Sequence, residues 1–300
     1  GLSGFERRET ASLSGGQKQR LALAGVLAMR PQTLVLDEAS SMLDPRGRAA
    51  LMHACHRLHS QGMSIVMITH FMEEAAEAER VVVLSHGRVA LDGTPDEVFS
   101  QADALASLGL DTPMPYRVGL ELREKLPGLT PRVTVDAMLG ELQAQAAQRG
   151  QAPLGTTTAQ RAQAPLGTSG AEGSCALGVE DVSFAYERGA CPALRGISIE
   201  VREGEVLGLL GHTGSGKSTL VQLLAGLEKP IRGRVTCKSA GRVGVVFQYP
   251  ERQLFARTVR EDVAFGPRNL GITGAELAAR VDKAIRGVGL DPEAVGDVSP

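Results

Sequence analysis

The sequence lacks long apolar runs, a surplus of charge of one sign, and paired cysteine motifs. No run approaches the roughly 18 apolar residues of a membrane span, and no secretory signal opens the chain. Thirty-two basic and 34 acidic residues give a net charge of −2, so electrostatic attraction to nucleic acid is not expected. The four cysteines form no C-x-x-C pair, which predicts reduced thiols of a cytosolic protein, without a disulfide framework or zinc site.

The composition is that of a soluble globular chain with a substantial core. Hydrophobic residues make up 43% and charged residues 22% of the 300 residues, and this length predicts roughly two domains. Short apolar runs at 33–36, 64–68 and 81–84 are typical of parallel strands buried on both faces. A helix is predicted over 17–29, ending before Pro31, and another is predicted to start at Thr94-Pro95.

A segment unlike the rest of the chain separates two parts. The sequence AQRGQAPLGT at 147–156 recurs as AQRAQAPLGT at 159–168, and such a composition cannot bury a core. We therefore predict a flexible linker over 147–177, between a first part at 1–146 and a second part at 178–300.

The second part contains a glycine-rich turn with a specific chemistry. GHTGSGKST at 211–219 fits G-x-x-x-x-G-K-[ST], follows an apolar strand at 205–210 and precedes an apolar helix at 220–227. Glycines let backbone N–H groups face phosphate oxygens, and the start of a helix adds its positive dipole. Lys217 is expected to reach the β- and γ-phosphates, and the Ser218 hydroxyl to ligate Mg²⁺.

Three weaker patterns lie in the first part. The apolar run 34–36 ends in Asp37 and Glu38, which could hold Mg²⁺ and polarise a water molecule, although strands often end in acids. His70 follows another strand, where a lone histidine is more often structural. LSGGQ at 13–17 starts a helix with Ser14 as a cap, which is either a second anion site or an ordinary helix start.

Taken together, these motifs resemble those of ATP-binding-cassette (ABC) ATPases over everything except the linker. Residues 211–219 match Walker A, 13–17 the signature, 34–38 Walker B with the catalytic glutamate, and 41–44 the D-loop with Met42 where Ala is commoner. The resemblance implies an α/β P-loop NTPase fold: a mostly parallel sheet with antiparallel β and helical subdomains. It implies catalytic roles for Glu38, the switch histidine His70, Lys217 and the Q-loop residue Gln248. It implies Mg²⁺ ligation by Ser218, Gln248 and Asp37. The implied ATP-binding residues are Tyr186, Gly211, Thr213, Gly214, Ser215, Gly216, Lys217, Ser218 and Thr219, with Ser14, Gly15, Gly16 and Gln17 from a partner cassette.

A finer resemblance concerns the type of transporter. Segments 247–255, 258–259, 264–267 and 93–99, and the tail from 108 through 135, are similar to energy-coupling-factor importers of vitamins and metal ions such as cobalt or nickel. This implies a second cassette as homo- or heterodimer partner, a transmembrane coupling protein docking near Gln248, and a membrane substrate-binding component. It also implies a peripheral location on the cytoplasmic face of the membrane and no nucleic-acid partner.

The motifs stand in an unusual order, because the signature, Walker B, D-loop and histidine precede Walker A and the Q-loop. We expect the chain to run from midway through one cassette to midway through a second in a fused protein, with 289–300 occupying the place of 1–12. The two parts are complementary and could fold together as a circularly permuted cassette, with the strand ending at Asp37 beside the strand feeding Gly211. A non-transport ABC ATPase and an inactive fragment are the alternative interpretations.

Overall fold

The computed structural model describes residues 6–148, 174–187, 191–238 and 243–288. The undescribed residues include 149–173, which contain most of the predicted linker and its repeat. They also include 289–300 and the first five of the twelve residues at 1–12 whose place 289–300 is expected to take. The strands are β1 (Thr33–Asp37), β2 (Ser64–Ile68), β3 (Arg80–Ser85), β4 (Arg88–Gly93), β5 (Cys175–Phe184), β6 (Leu194–Arg202), β7 (Val206–Leu210), β8 (Arg232–Cys237) and β9 (Val243–Val246). The helices are α1 (Gly15–Ala28), α2 (Pro45–His59), α3 (Met72–Ala75), α4 (Pro95–Phe99), α5 (Ala102–Ser107), α6 (Met114–Lys125), α7 (Val135–Gln148), α8 (Lys217–Leu224), α9 (Val259–Asn269) and α10 (Gly274–Gly287).

The main sheet contains strands from both parts of the chain. Its six strands lie in the order β4-β3-β7-β2-β1-β9, all parallel to their neighbours except β4, which is antiparallel to β3. Strand β7 of the second part lies between β3 and β2 of the first, and β9 extends the sheet beyond β1. The two parts therefore form one sheet, which is the arrangement that a circularly permuted cassette requires.

One expectation about this sheet was wrong. The strand ending at Asp37, β1, does not lie beside β7, because β2 lies between them and pairs with both. The expectation rested on the need to bring Asp37 close to Ser218. Asp37 and Ser218 still come close to each other, because the side chain at the carboxyl end of β1 and the loop after β7 both extend over the end of β2.

The core lies on both faces of this sheet because successive strand residues point in opposite directions. In β1, Leu34 and Leu36 pack with α1, α2, α9 and α10, while Val35 packs with α8 and the second sheet. That second sheet is antiparallel, in the order β6-β5-β8. A third cluster joins α3, α4 and α5 to β3. All residues of β1, β2 and β7 are buried, as the apolar runs predicted.

Several local predictions are confirmed, and some boundaries move. Ser14 caps α1, and Thr94 caps α4 through a capping box with Pro95 in its first turn. Helix α8 begins at Lys217, three residues earlier than predicted, and β5 begins at Cys175, inside the segment predicted as linker.

All four cysteines are free. Within the described ranges, no helix is long and apolar enough to cross a membrane, and no group of three or more His, Cys, Asp or Glu residues could hold a metal ion.

Candidate nucleotide site

The carboxyl ends of four strands bring the predicted site residues to one edge of the sheet. Asp37 ends β1 opposite Ile68 of β2, and Ile68 in turn pairs with Leu209 of β7. His70 follows β2, the glycine-rich loop follows β7, and Gln248 follows β9. In open α/β sheets this edge is where ligands bind.

The glycine-rich loop leaves no room for side chains at two of its positions. A Cβ at Gly211 would lie 2.4 Å from the Leu84 carbonyl oxygen, and one at Gly216 would lie 2.6 Å from Cδ2 of Leu194. Gly216 also has φ of 105°, which is a left-handed conformation, and α8 starts directly after it. The first N–H groups of α8 have no acceptor within the helix, so they are available to an anion at this turn.

Lys217 is held inside the loop that contains it. Its Nζ donates to the carbonyl oxygens of Gly211, at 2.6 Å, and His212, at 3.1 Å, and lies 4.0 Å from Oε1 of Glu38. Burial lowers the pKa of Lys217, while the carboxylates of Glu38 and Asp37 act in the opposite direction. The ammonium group is therefore fixed between the loop and the acidic end of β1.

Asp37 has the features of a magnesium ligand. Its side chain is buried, and Oδ1 has no hydrogen-bond partner. Burial, and then the neighbouring Glu38 charge, raises its pKa to about 6, and the Ser218 hydroxyl, Lys217 and His70 oppose that rise. A buried carboxylate oxygen without a partner beside a hydroxyl provides the hard oxygen ligands that Mg²⁺ prefers, so these residues fit the ion.

Glu38 and His70 form a direct pair. Nε2 of His70 lies 2.6 Å from Oε1 of Glu38, and the histidine is the more exposed of the two. Glu38 has φ of 51°, and its N–H donates to the Ile68 carbonyl oxygen at 3.0 Å, which ties the residue after β1 to the end of β2. A non-glycine residue held in this conformation is typical of functional sites.

Tyr186 lies beside the start of α8. Its ring is 62% exposed and stands edge-on to Phe184, with 5.1 Å between ring centroids. Its hydroxyl lies 3.0 Å from Oγ1 of Thr219 and 3.1 Å from Oε1 of Gln222. An exposed aromatic face next to the glycine-rich loop suits stacking by a nucleobase.

The remaining loop residues lie within the same turn. The carbonyl oxygen of Ser215 accepts from the Gly87 N–H at 3.0 Å, while Oγ of Ser215 is buried without a partner. Gly214 has φ of 79°, and the Thr213 carbonyl oxygen lies 2.6 Å from Nδ1 of His212.

The structure does not bring residues 14–17 to this site. Ser14 and Gln17 form a capping box with each other, and α1 packs against α9 and α10. Across the described part of the chain, no hydrogen bond or ion pair joins this helix start to residues 211–219. Gln248 lies half-buried at the end of β9, on the site's edge of the sheet.

Sequence reasoning missed Glu74. This carboxylate is buried near the site and accepts hydrogen bonds from Ser40 and Thr69, which flank the Glu38 and His70 positions. Its neighbour Glu73 is exposed, and two adjacent glutamates at a helix start give no sequence signal that one of them is buried.

Parts of this sequence are similar to known ABC transporter proteins. A family model described as ABC transporter matches residues 1–41 and 194–298. A protein of Caldanaerobacter subterraneus subsp. tengcongensis, provisionally named an ABC transporter ATP-binding protein, is 33% identical over 97% of this chain and 52% of its own length. An energy-coupling factor transporter ATP-binding protein of Symbiobacterium thermophilum is 53% identical over 41% of this chain and 43% of its own length. A solved structure of cbiO1 from Clostridium perfringens, described as part of the ABC transporter complex cbiONQ, is 36% identical over 37% of this chain and 49% of that chain, with a TM-score of 0.33.

The chain spans about half the length of the relatives that it matches nearly from end to end. Its α/β fold has a mixed sheet with the glycine-rich loop at its edge, and described residues of both matched segments supply strands to that sheet. The two matched segments of the chain are therefore similar in sequence to ABC transporter ATPases, a family whose ATP-binding members hydrolyse ATP.

Proposed function

We propose that this chain binds ATP with Mg²⁺ at residues 211–219 and hydrolyses it to energise an importer of the energy-coupling-factor type. The observation that carries the proposal is the joining of two separate chain segments in one site. Lys217 of the glycine-rich loop lies 4.0 Å from Glu38, and Glu38 lies 2.6 Å from His70.

Each side chain has a role that follows from its position. Lys217 and the N–H groups at the start of α8 bind phosphate oxygens, and Tyr186 stacks on the adenine. Ser218 and Asp37 hold Mg²⁺, with Gln248 approaching from the end of β9. The bound ion neutralises charge on the phosphate oxygens.

Glu38 is placed to accept a proton from the attacking water, and His70 orients this carboxylate and contacts the γ-phosphate. Positioning and charge stabilisation of this kind are most of what phosphoryl transfer requires.

A second cassette completes the site in this proposal. Ser14–Gln17 form a helix start whose first N–H groups can bind an anion, yet they have no bond to residues 211–219 of their own chain. We infer that Ser14, Gly15, Gly16 and Gln17 cover the phosphate that a partner cassette binds. The equivalent segment of the partner would in turn cover the phosphate bound at residues 211–219 of this chain.

We also propose that the two parts derive from neighbouring cassettes of a fused protein. In this division residues 1–146 are the later half of one cassette, 147–177 a linker, and 178–300 the earlier half of the next. The order of the motifs supports it, as does the match of 97% of the chain to 52% of a single ABC ATP-binding relative. In the fused protein each part would pair with its own missing complement.

The assignment to an importer of vitamins or metal ions rests on the partial match to an energy-coupling factor ATP-binding protein. The corresponding partners are a transmembrane coupling protein and a membrane substrate-binding component, and the chain would lie on the cytoplasmic face of the membrane. In the segment that follows Gln248, Phe255 and Phe265 are exposed and their ring centroids lie 4.2 Å apart, which is an apolar surface suited to a docking helix of the coupling protein.

ATP binding and turnover of the purified 300-residue chain test the proposal. Lys217→Ala should abolish ATP binding in calorimetry, whereas Lys229→Ala, at an exposed lysine beyond α8, should leave it unchanged. Glu38→Gln should keep ATP binding and slow turnover by roughly 10²–10⁴-fold. Turnover unaffected by Lys217→Ala would refute the assigned site, and a folded chain without turnover would support the inactive fragment.

A further inference from the structure

Glu74 links the two segments that carry the catalytic pair. Its side chain is buried at 7% exposure, and one oxygen, Oε2, accepts hydrogen bonds from Oγ of Ser40 at 2.8 Å and from Oγ1 of Thr69 at 2.5 Å. Ser40 lies two residues after Glu38, and Thr69 directly precedes His70. One carboxylate oxygen therefore holds the chain after β1 and the chain after β2 together.

Thr69 passes this contact on to the backbone. Its Oγ1 donates to Glu74 and accepts from the N–H of Phe71 at 3.0 Å, so the turn around His70 is fixed on both sides. The Glu38 N–H bond to Ile68 provides a second, independent link between the same two segments. Loss of the carboxylate would leave two buried hydroxyls without this acceptor, and beyond the β1–β2 ladder only the Glu38 N–H bond would join the two segments by a backbone bond.

We propose that Glu74 is a positioning residue for ATP hydrolysis, which holds Glu38 and His70 within contact distance through Ser40 and Thr69. This inference rests on the proposed function and adds a residue to its machinery. Within the described ranges, no hydrogen bond or ion pair joins Glu74 to the glycine-rich loop or to Lys217, so it acts on the geometry of the pair and leaves nucleotide binding to other residues. A displacement of about 1 Å at such a pair is enough to cost about a hundredfold in rate.

The chain offers a matched control and a conservative rescue. Glu73 precedes Glu74 on the same short helix but is exposed, and it accepts only a long bond from the Met114 N–H at 3.4 Å. Glu74→Gln keeps one carbonyl oxygen that can accept from both hydroxyls, and its amide takes the place of Oε1, which has no partner.

The test is a double-mutant cycle in ATP turnover between Glu74→Ala and His70→Ala. Glu74→Ala should lower kcat at least about tenfold with the KM for ATP unchanged, Glu74→Gln should restore most of the rate, and Glu73→Ala should have no effect. In the His70→Ala background, Glu74→Ala should cause no further loss, because both changes disrupt one pair. The proposal would be overturned if Glu74→Ala lowered kcat by the same factor in the wild type and in the His70→Ala variant, or if it raised only the KM for ATP.

Hydrogen exchange separates this inference from the proposed function. In the nucleotide-free chain, Glu74→Ala should speed exchange in segments 37–43 and 67–73 together, and Glu73→Ala should not. If wild type lacks ATP turnover, the proposed function fails while the exchange result still decides whether Glu74 joins the two segments. Where Glu74→Ala does not fold, Thr69→Val removes one of the two bonds and should reproduce the exchange change, and unchanged exchange in both segments would refute the link.

Discussion

Leu209→Ala tests whether the two parts of the chain fold as one unit. Leu209 lies in β7, is 1% exposed, and pairs with Ile68 of β2 on one side and Val82 of β3 on the other. Both neighbours belong to the first part of the chain. Removing this side chain from a core that cannot fully collapse should cost about 3–5 kcal/mol in the free energy of unfolding.

The assay is native-state hydrogen exchange read segment by segment. Amides of β1 and β2 that exchange only by global unfolding should lose the same free energy as amides of β7, although about 140 residues or more separate them from β7 in sequence. A loss of 3 kcal/mol corresponds to exchange faster by about a hundredfold.

The matched control is Leu227→Ala, at a leucine of the same part that is 62% exposed, and it should change the free energy of unfolding by less than about 0.5 kcal/mol. Loss of protection confined to residues 174–238, with β1 and β2 unchanged, would show two independent units and refute the shared sheet.

Four further predictions follow from local features. Gly233→Ala should lower the midpoint of thermal unfolding much more than Gly226→Ala, because both glycines have positive φ but only a Cβ at 233 meets backbone oxygens, at 2.4 Å. Thr258→Ala removes the capping box of α9 and should cost about 1 kcal/mol in urea unfolding, and no change would contradict the cap. Tyr186→Trp places a single tryptophan in a chain that has none, and its fluorescence should change on ATP addition but not in a Lys217→Ala background. Burial raises the pKa of Glu74, so the folded state keeps its proton to higher pH than the unfolded chain, and the free energy of unfolding should fall as pH rises above about 4.5. Glu74→Gln should remove this part of the pH dependence, and identical pH profiles would contradict it.

Sequence patterns predicted the elements well where local chemistry decides them. The uninterrupted apolar runs of β1 and β2 identified buried strands, and Ser14 and Thr94 identified helix starts, because caps and burial patterns are local properties. The resemblance to a known family placed Asp37, Glu38, His70 and Lys217 in one site, and the structure brings these four together.

The neighbours of each strand could not be predicted in the same way. Asp37 and Ser218 approach each other across β2, so a requirement for proximity between side chains does not determine which strands pair. Glu74 differs from Glu73 only in the direction of its side chain, toward Ser40 and Thr69, and this direction is set by packing of α3 and not by residue type.

The position of β7 has a consequence when these 300 residues are synthesised by themselves, with no earlier cassette half to supply the missing strand. Strand β2 is complete at Ile68, yet the strand that separates it from β3 ends at Leu210, about 140 residues later. At 5–20 residues per second, the nascent chain spends roughly 7–30 seconds with a gap in its sheet and two apolar strand edges unpaired. Such edges are templates for pairing with other chains, so premature termination before β7 should yield aggregation-prone products that depend on chaperones.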